Sequence, residues 1–196
     1  ILQRRGLDST NAELLAHFDF PDGLFDVSWA EIGGGEELIV GGGEGRVYCL
    51  NWRNGQRFQL FPVHSREISS LDWCPHRVDK FCSSGWDGKI NIFDGASKSV
   101  TLTGHGAVVN DARWSPRAAN TLISASADRT IRIWDDRTST CSALISPANL
   151  SIPDFLSVDW NKYEDWQVAS ATSTDLLFWD LRVIGKGPHL RIPQAH

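Results

Sequence analysis

The chain has 196 residues, with 19 Lys and Arg against 24 Asp and Glu, giving a formal charge of −5. It offers no basic face for phosphate neutralisation, which argues against nucleic-acid binding. Its apolar runs are strand-length, far short of the ~18 residues a membrane span needs. Four cysteines, Cys49, Cys74, Cys82 and Cys141, form no C-x-x-C pair and stand beside no His at zinc-finger spacing, so buried thiols in a reducing compartment are expected, with no metal site. There is no Met, even at position 1, as expected of a chain that begins inside a longer reading frame.

In chain order, residues 12–18 read as the outer strand of a preceding unit, and four similar units then follow, over about 24–62, 67–102, 107–146 and 154–192. Each opens on a strand ending in Trp: Phe25-Asp-Val-Ser-Trp29, Ser69-Ser-Leu-Asp-Trp73, Asn110-Asp-Ala-Arg-Trp114 and Leu156-Ser-Val-Asp-Trp160. Each contains a later strand closed by an aromatic or Leu and an Asx: Leu50-Asn51, Phe93-Asp94, Trp134-Asp135 and Trp179-Asp180. Period-two alternation, as in Lys89-Ile-Asn-Ile-Phe93 and Thr130-Ile-Arg-Ile-Trp134, predicts β-structure, and Trp86-Asp87-Gly88 and Ala127-Asp128-Arg129 predict turns between strands. Four strands per unit, here a to d, follow; in the third unit they are placed at about 107–114, 120–125, 129–135 and 140–146.

Short strands in units of ~40 to 45 residues, with Gly104-His105 before the first and Trp134-Asp135 closing the third, resemble the WD-repeat β-propeller. The expected class is all-β: about four consecutive blades of a probable seven-bladed propeller, needing the missing blades of the same chain for closure. An open ring exposes strand edges at both ends.

His105, Ser124 or Ser126, Asp128 and Trp134 have the residue types of a Ser-His-Asp hydrolase. The same types recur as His64, Ser83 or Ser84, Asp87 and Phe93, and a nucleophile needs building only once. The set is therefore read as a polar network tying each blade, with no catalytic residue and no cofactor. The copies decay: Glu44 and Ser173 stand where the turn Asp is expected, and Pro147-Ala148 replaces Gly-His before the fourth unit. The Gly-rich tract around Gly41 to Gly45 lacks the Lys-Ser/Thr of a phosphate loop and precedes a strand, so it reads as turns. Asp135-Asp136 reads as a solvated turn.

Strand alternation puts the d–a and b–c connections of every blade on one face. Phe25, Ser69, Asn110 and Leu156, each four residues before a strand-a Trp, should cluster there toward the channel, flanked by Asp22, Glu67 and Asp154 from d–a loops and Glu44 and Trp86 from b–c turns. A b–c turn needs only small polar residues, so Trp86 points to a binding face, and an acidic, aromatic surface suits a peptide carrying Arg or Lys beside apolar residues.

Asp22-Gly-Leu-Phe-Asp-Val-Ser-Trp29, Ser84-Gly-Trp-Asp87, Val158-Asp-Trp-Asn-Lys-Tyr-Glu164 and Phe178-Trp-Asp-Leu-Arg182 resemble the family of peroxisomal receptors for the type-two targeting signal, in blade order as well as motif. The resemblance implies a non-enzymatic, cytoplasmic receptor cycling to the peroxisome matrix. Its partners would be cargo proteins bearing the signal, bound as an amphipathic helix on the propeller face, and a peroxisomal co-receptor. Two alternatives stand beside it. Trp134-Asp-Asp-Arg137 and Trp179-Asp-Leu-Arg182 fit the W-D-x-R pattern of substrate receptors in cullin-type ubiquitin ligases, and a generic scaffold fits every repeat.

Overall fold

A computed structural model describes residues 14–30, 35–59, 62–95, 97–147 and 152–194. They form sixteen strands in four antiparallel sheets, each a meander of four strands in chain order. Blade one is β1 (Leu24–Trp29), β2 (Glu37–Gly42), β3 (Val47–Asn51) and β4 (Arg57–Gln59); blade two is β5 (Ile68–Trp73), β6 (Lys80–Gly85), β7 (Ile90–Asp94) and β8 (Ser97–Leu102). Blade three is β9 (Val109–Trp114), β10 (Thr121–Ser126), β11 (Ile131–Asp135) and β12 (Thr140–Ile145). Blade four is β13 (Phe155–Trp160), β14 (Gln167–Thr172), β15 (Asp175–Asp180) and β16 (Leu190–Pro193), with a 3₁₀ turn over Leu181–Lys186. The strands of blade three lie within two residues of those read from its alternation.

Blades stack face to face, which explains the burial pattern. The middle strands of blade two are covered on both sides, so β6 is buried throughout, whereas the outer strand β12 of blade three alternates exposed and covered residues. Trp73, Trp114 and Trp160 each wedge against the preceding blade: Trp73 among Ala30 and Ile39, Trp114 among Cys74 and Cys82, and Trp160 among Ile123 and Ile133. Truncating a buried Trp of this kind to Ala costs about 3 to 5 kcal/mol. Trp29 is 52% exposed, because no described residue places a blade in front of β1.

The inner strands β1, β5, β9 and β13 are zipped by polar side chains that the repeat had not singled out. Three residues before the strand-a Trp, Asp26, Ser70 and Asp111 accept the N–H of Leu71, Ala112 and Val158 in the next blade at 2.7, 2.9 and 3.1 Å. One residue before it, Ser28 and Asp72 accept the N–H of Trp73 and Trp114 at 3.3 and 2.6 Å. Each blade thus satisfies backbone donors that stacking would otherwise bury unpaired.

Three expectations need correction. The outer strand placed over 12–18 is absent from its described part: residues 14–18 carry no strand, and Phe18 and Phe20 instead pack on Val40, Tyr48 and Leu50 of blade one, Phe20 meeting Tyr48 edge-on at 5.0 Å. Residues 12 and 13 lie outside the described residues. Asp136 is not solvated; it is 5% exposed and ion-paired with the buried Lys80 of blade two, whose ammonium lies 5.2 Å from the Trp114 ring centroid. Of the cysteines only Cys74 and Cys82 are buried, while Cys49 and Cys141 are partly exposed.

Candidate functional site

In blade three the network is complete. His105 Nδ1 lies 2.8 Å from Asp128 Oδ2 and His105 Nε2 2.7 Å from Ser124 Oγ, while Trp134 Nε1 donates to the same Ser124 oxygen at 2.8 Å. An ionised carboxylate can only accept, so Nδ1–H donates to Asp128, and in the neutral imidazole Nε2 then accepts the Ser124 hydroxyl proton while that oxygen accepts the indole N–H. Burial pushes the His105 imidazole below its ordinary pKa despite the opposing pull of Asp128, in keeping with this neutral tautomer. Burial would raise the Asp128 carboxyl, but hydrogen bonds from Thr130, the Gly106 N–H and His105 outweigh it and hold the pKa at about 2. Ser126 stands apart, donating to Val108 O.

Blade two repeats the arrangement: His64 Nε2 is 2.8 Å from Ser83 Oγ and Nδ1 2.9 Å from Asp87, whose pKa is also about 2 because the His64 bond and charge, with the Ser65 and Lys89 N–H groups, overcome burial. Phe93 supplies no indole N–H there, and the Asn91 amide instead reaches Val63 O at 2.7 Å. Blade four keeps Trp179 Nε1 on Ser170 Oγ at 2.8 Å, but its buried carboxylate, Asp175, turns to the outer strand and takes Arg191 in a two-pronged pair at 3.1 and 3.2 Å. The Ser124 hydroxyl is fully buried and joins the His105 imidazole to the Trp134 indole within the blade.

On the face that carries the d–a and b–c connections, the four residues preceding each Trp by four share one backbone feature. Phe25, Ser69, Asn110 and Leu156 are each skipped in the pairing of strand a with strand b, forming a β-bulge in every blade. A bulge re-aims its side chain out of the pleat, and in blades one to three toward the next blade. Ser69 Oγ donates to Val109 O, and Asn110 Nδ2 donates to Phe155 O at 2.7 Å. Phe25 has no donor and instead meets the Trp86 ring edge-on, with centroids 6.4 Å apart.

The structure brings five of the nine face residues together at the corner between blades one and two. Asp22 Oδ2 accepts the Glu44 N–H at 2.5 Å, next to Gly43 and the Phe25 ring, and Trp86 N donates to Glu67 O at 2.9 Å. Gly45 closes this corner in a left-handed conformation, φ +73°, where a Cβ would lie 2.2 Å from His64 O. Ser69 and Asn110 sit in the two following seams, and Asp154 and Leu156, both exposed, lie on blade four. Two cations at the corner escaped the sequence reading: Arg46, 2.8 Å from Glu44, and Arg66, 3.5 Å from Glu67 and 5.6 Å from the Trp86 ring centroid. The adjacency of Arg66 to Glu67 was the available signal. The bulges too had a signal, since Ser69-Ser70 and Asn110-Asp111 place two polar residues in succession within a strand and so break period two.

At the opposite corners, Arg137 and Arg182 fold back on their own turns. Arg137 grips Asp135 at 2.6 and 3.0 Å and Arg182 grips Asp180 at 2.8 and 3.0 Å, each arginine holding its carboxyl at about 2, and Arg182 also lies 3.7 Å over the Trp166 ring. Among the described residues no three His, Cys, Asp or Glu side chains group as a metal site, and no helix is long and apolar enough to cross a membrane.

A sequence model of the WD domain, G-beta repeat, matches residues 55–94 and 96–135, so each match runs from the outer strand of one blade through the third strand of the next. Over 122 residues the chain is 35% identical to the peroxisomal targeting signal 2 receptor of Homo sapiens, covering 60% of this chain and 38% of that protein. It is 30% identical over 131 residues to the protein transport protein sec13 of Aspergillus clavatus, covering 55% and 44% respectively. It is also 26% identical over 220 residues to the APC/C activator protein CDH1 of Saccharomyces cerevisiae, covering 88% and 38%. The chain spans less than half the length of these relatives. The matched repeats and the four stacked four-stranded meanders show the fold of a WD-repeat β-propeller, each sheet one of four consecutive blades.

Proposed function

We propose that the protein is a non-enzymatic receptor for the N-terminal type-two peroxisomal targeting signal, binding it on the d–a and b–c face with a co-receptor and carrying cargo from the cytoplasm to the peroxisome matrix. The observation that carries the reading is the corner between blades one and two, where the exposed pair Phe25 and Trp86 is flanked by Asp22, Glu44 and Glu67. An apolar anchor ringed by carboxylates suits an amphipathic helix with a cationic residue beside apolar ones. The similarity to the human receptor, and the recurrence in two blades of the one His–Ser–Asp set that resembles catalytic machinery, support the same reading. Asp154, Leu156, Ser69 and Asn110 would extend the face along the channel.

The test is anisotropy of a labelled helical peptide with the pattern basic-apolar-x5-His-apolar, titrated with the protein in the presence and absence of the co-receptor. Saturable binding that weakens on Glu67→Lys and on replacing the peptide's Arg by Glu is expected; absence of binding by folded protein under both conditions overturns it. The alternative, a ubiquitin-ligase substrate receptor working through Arg137 and Arg182, would have to draw both arginines from bidentate pairs with their own aspartates. Loss of adaptor pull-down on Arg137→Ala with Arg182→Ala would favour it.

A further inference from the structure

The corners of blades two and three share one backbone frame. Trp86 N donates to Glu67 O and Ala127 N to Val108 O, both at 2.9 Å, and both turns continue to the Asp that binds the blade's His. The frame is furnished differently. Where the corner facing blade one carries Arg66, Glu67, Trp86 and, from its neighbour, Phe25, the corner facing blade two carries Ala107, Val108, Ala127 and Ser69. The second set builds the same turn and the same seam, so the fold does not require the first. Yet Phe25 stays 53% and Trp86 39% exposed, an arrangement that buries little and leaves large apolar surface in water.

Arg66 occupies this corner loosely. Its guanidinium lies 5.6 Å from the Trp86 centroid, and its Nε stands 3.5 Å from Glu67, with the Arg66 side chain 55% exposed. Exposed pairs and exposed cation–π contacts of this kind are among the weakest interactions a surface makes. The indole face and the Glu67 carboxylate together offer what a planar guanidinium prefers, a flat π surface with an acceptor at its edge.

We infer that Trp86 and Glu67 form a guanidinium site that Arg66 fills in the free protein, and that an arginine of a bound peptide displaces Arg66 there while its apolar neighbour packs on Phe25. This rests on the peptide-receptor reading for its ligand, and it adds that the receptor carries its own competitor. Arginine rather than lysine is the chemistry selected, since a compact ammonium gains less from the flat ring and the carboxylate together.

The test has two readouts. The first is ¹⁹F NMR of protein labelled with 5-fluorotryptophan, the Trp86 signal being assigned by its loss in Trp86→Phe. Arg66→Ala should move that signal, and millimolar arginine amide should return it toward its original position more effectively than lysine amide. A Trp86 signal indifferent to Arg66→Ala, or equal responses to the two amides, overturns the inference. The second is peptide anisotropy, where Arg66→Ala should tighten an Arg-bearing peptide about fivefold, Trp86→Ala should weaken it about tenfold, and Arg46→Ala, which removes the same charge away from the ring, should change it less than Arg66→Ala. Equal tightening by Arg46→Ala and Arg66→Ala would reduce the effect to net charge and contradict displacement. If the amide restores the Trp86 signal while no targeting peptide binds, the guanidinium site stands and the receptor reading falls; if the peptide binds but Arg66→Ala changes neither readout, the reverse holds.

Discussion

Blades three and four solve one packing problem with different polar parts. Both seat a tryptophan indole on a strand-b serine, Trp134 on Ser124 and Trp179 on Ser170, each at 2.8 Å. Beyond that bond they diverge: Asp128 draws in His105 and ties the b–c turn to the incoming loop, whereas Asp175 takes Arg191 and ties strand c to the outer strand. Phe155, meeting the Trp179 ring edge-on at 6.1 Å, echoes the His105–Trp134 ring contact at 5.8 Å. The indole–hydroxyl bond is thus the part common to these two blades, and the carboxylate is free to change partner.

The sharpest way to break this comparison is to remove each carboxylate. Asp128→Ala strands the buried His105 Nδ1–H and the part-buried Thr130 hydroxyl, and should cost about 3 kcal/mol. Asp175→Ala frees Arg191, whose side chain is 39% exposed and can turn to water, so it should cost only about 1 to 2 kcal/mol. Denaturant midpoints of the two variants decide; equal losses would mean the blades are not distinguished by how their carboxylates are partnered. Trp134→Phe should cost about 1 kcal/mol by leaving the Ser124 oxygen without its donor, a loss blade two already tolerates at Phe93.

Acid separates the blades in a different way. His105 has a lowered pKa when folded, so its contribution is fully present above the unfolded value near 6.5 and is lost as pH falls through the folded one. Asp87 and Asp128, held at about 2, contribute above the unfolded value of ~3.9 and lose that contribution as pH falls from about 4 toward 2. Melting temperature should therefore hold from pH 8 to 7, decline below about 6.5 and fall more steeply below about 4. His105→Gln should remove the first decline; its persistence would place that proton elsewhere. Smallest of all, Arg137→Ala should leave the denaturant midpoint unchanged, because its pair with Asp135 is exposed to water.

How much of this was legible in the sequence follows from what repeats. The blades, the His–Asp ties and the face carrying Trp86 can be read because they recur at one spacing, and Gly-His or Trp-Asp marks their phase. The inter-blade zipper of Asp26, Ser70 and Asp111 also recurs, but its carboxylates and hydroxyls look like the polar half of ordinary alternation until the neighbouring strand is placed beside them. Asp136 misled for the opposite reason: its partner Lys80 lies one blade away, and no local pattern distinguishes a buried Asp from a solvated one. Asp175 escapes the repeat because the turn position falls on Ser173, whereas the carboxylate stands two residues later at the start of strand c. The phase of the repeat places an outer strand over residues 12–18, but a strand also needs an edge to pair with, and residues 14–18 carry no strand.

On the proposed reading, the corner between blades one and two is furnished for binding and not for folding. Trp86→Ala tests it most directly, since Ala127 already stands in the equivalent turn of blade three. The melting curve of this variant should overlay that of the parent to within ~0.5 kcal/mol, while its affinity for the labelled basic-apolar peptide falls about tenfold. Unchanged affinity, or a loss of stability as large as that of Asp128→Ala, would contradict it.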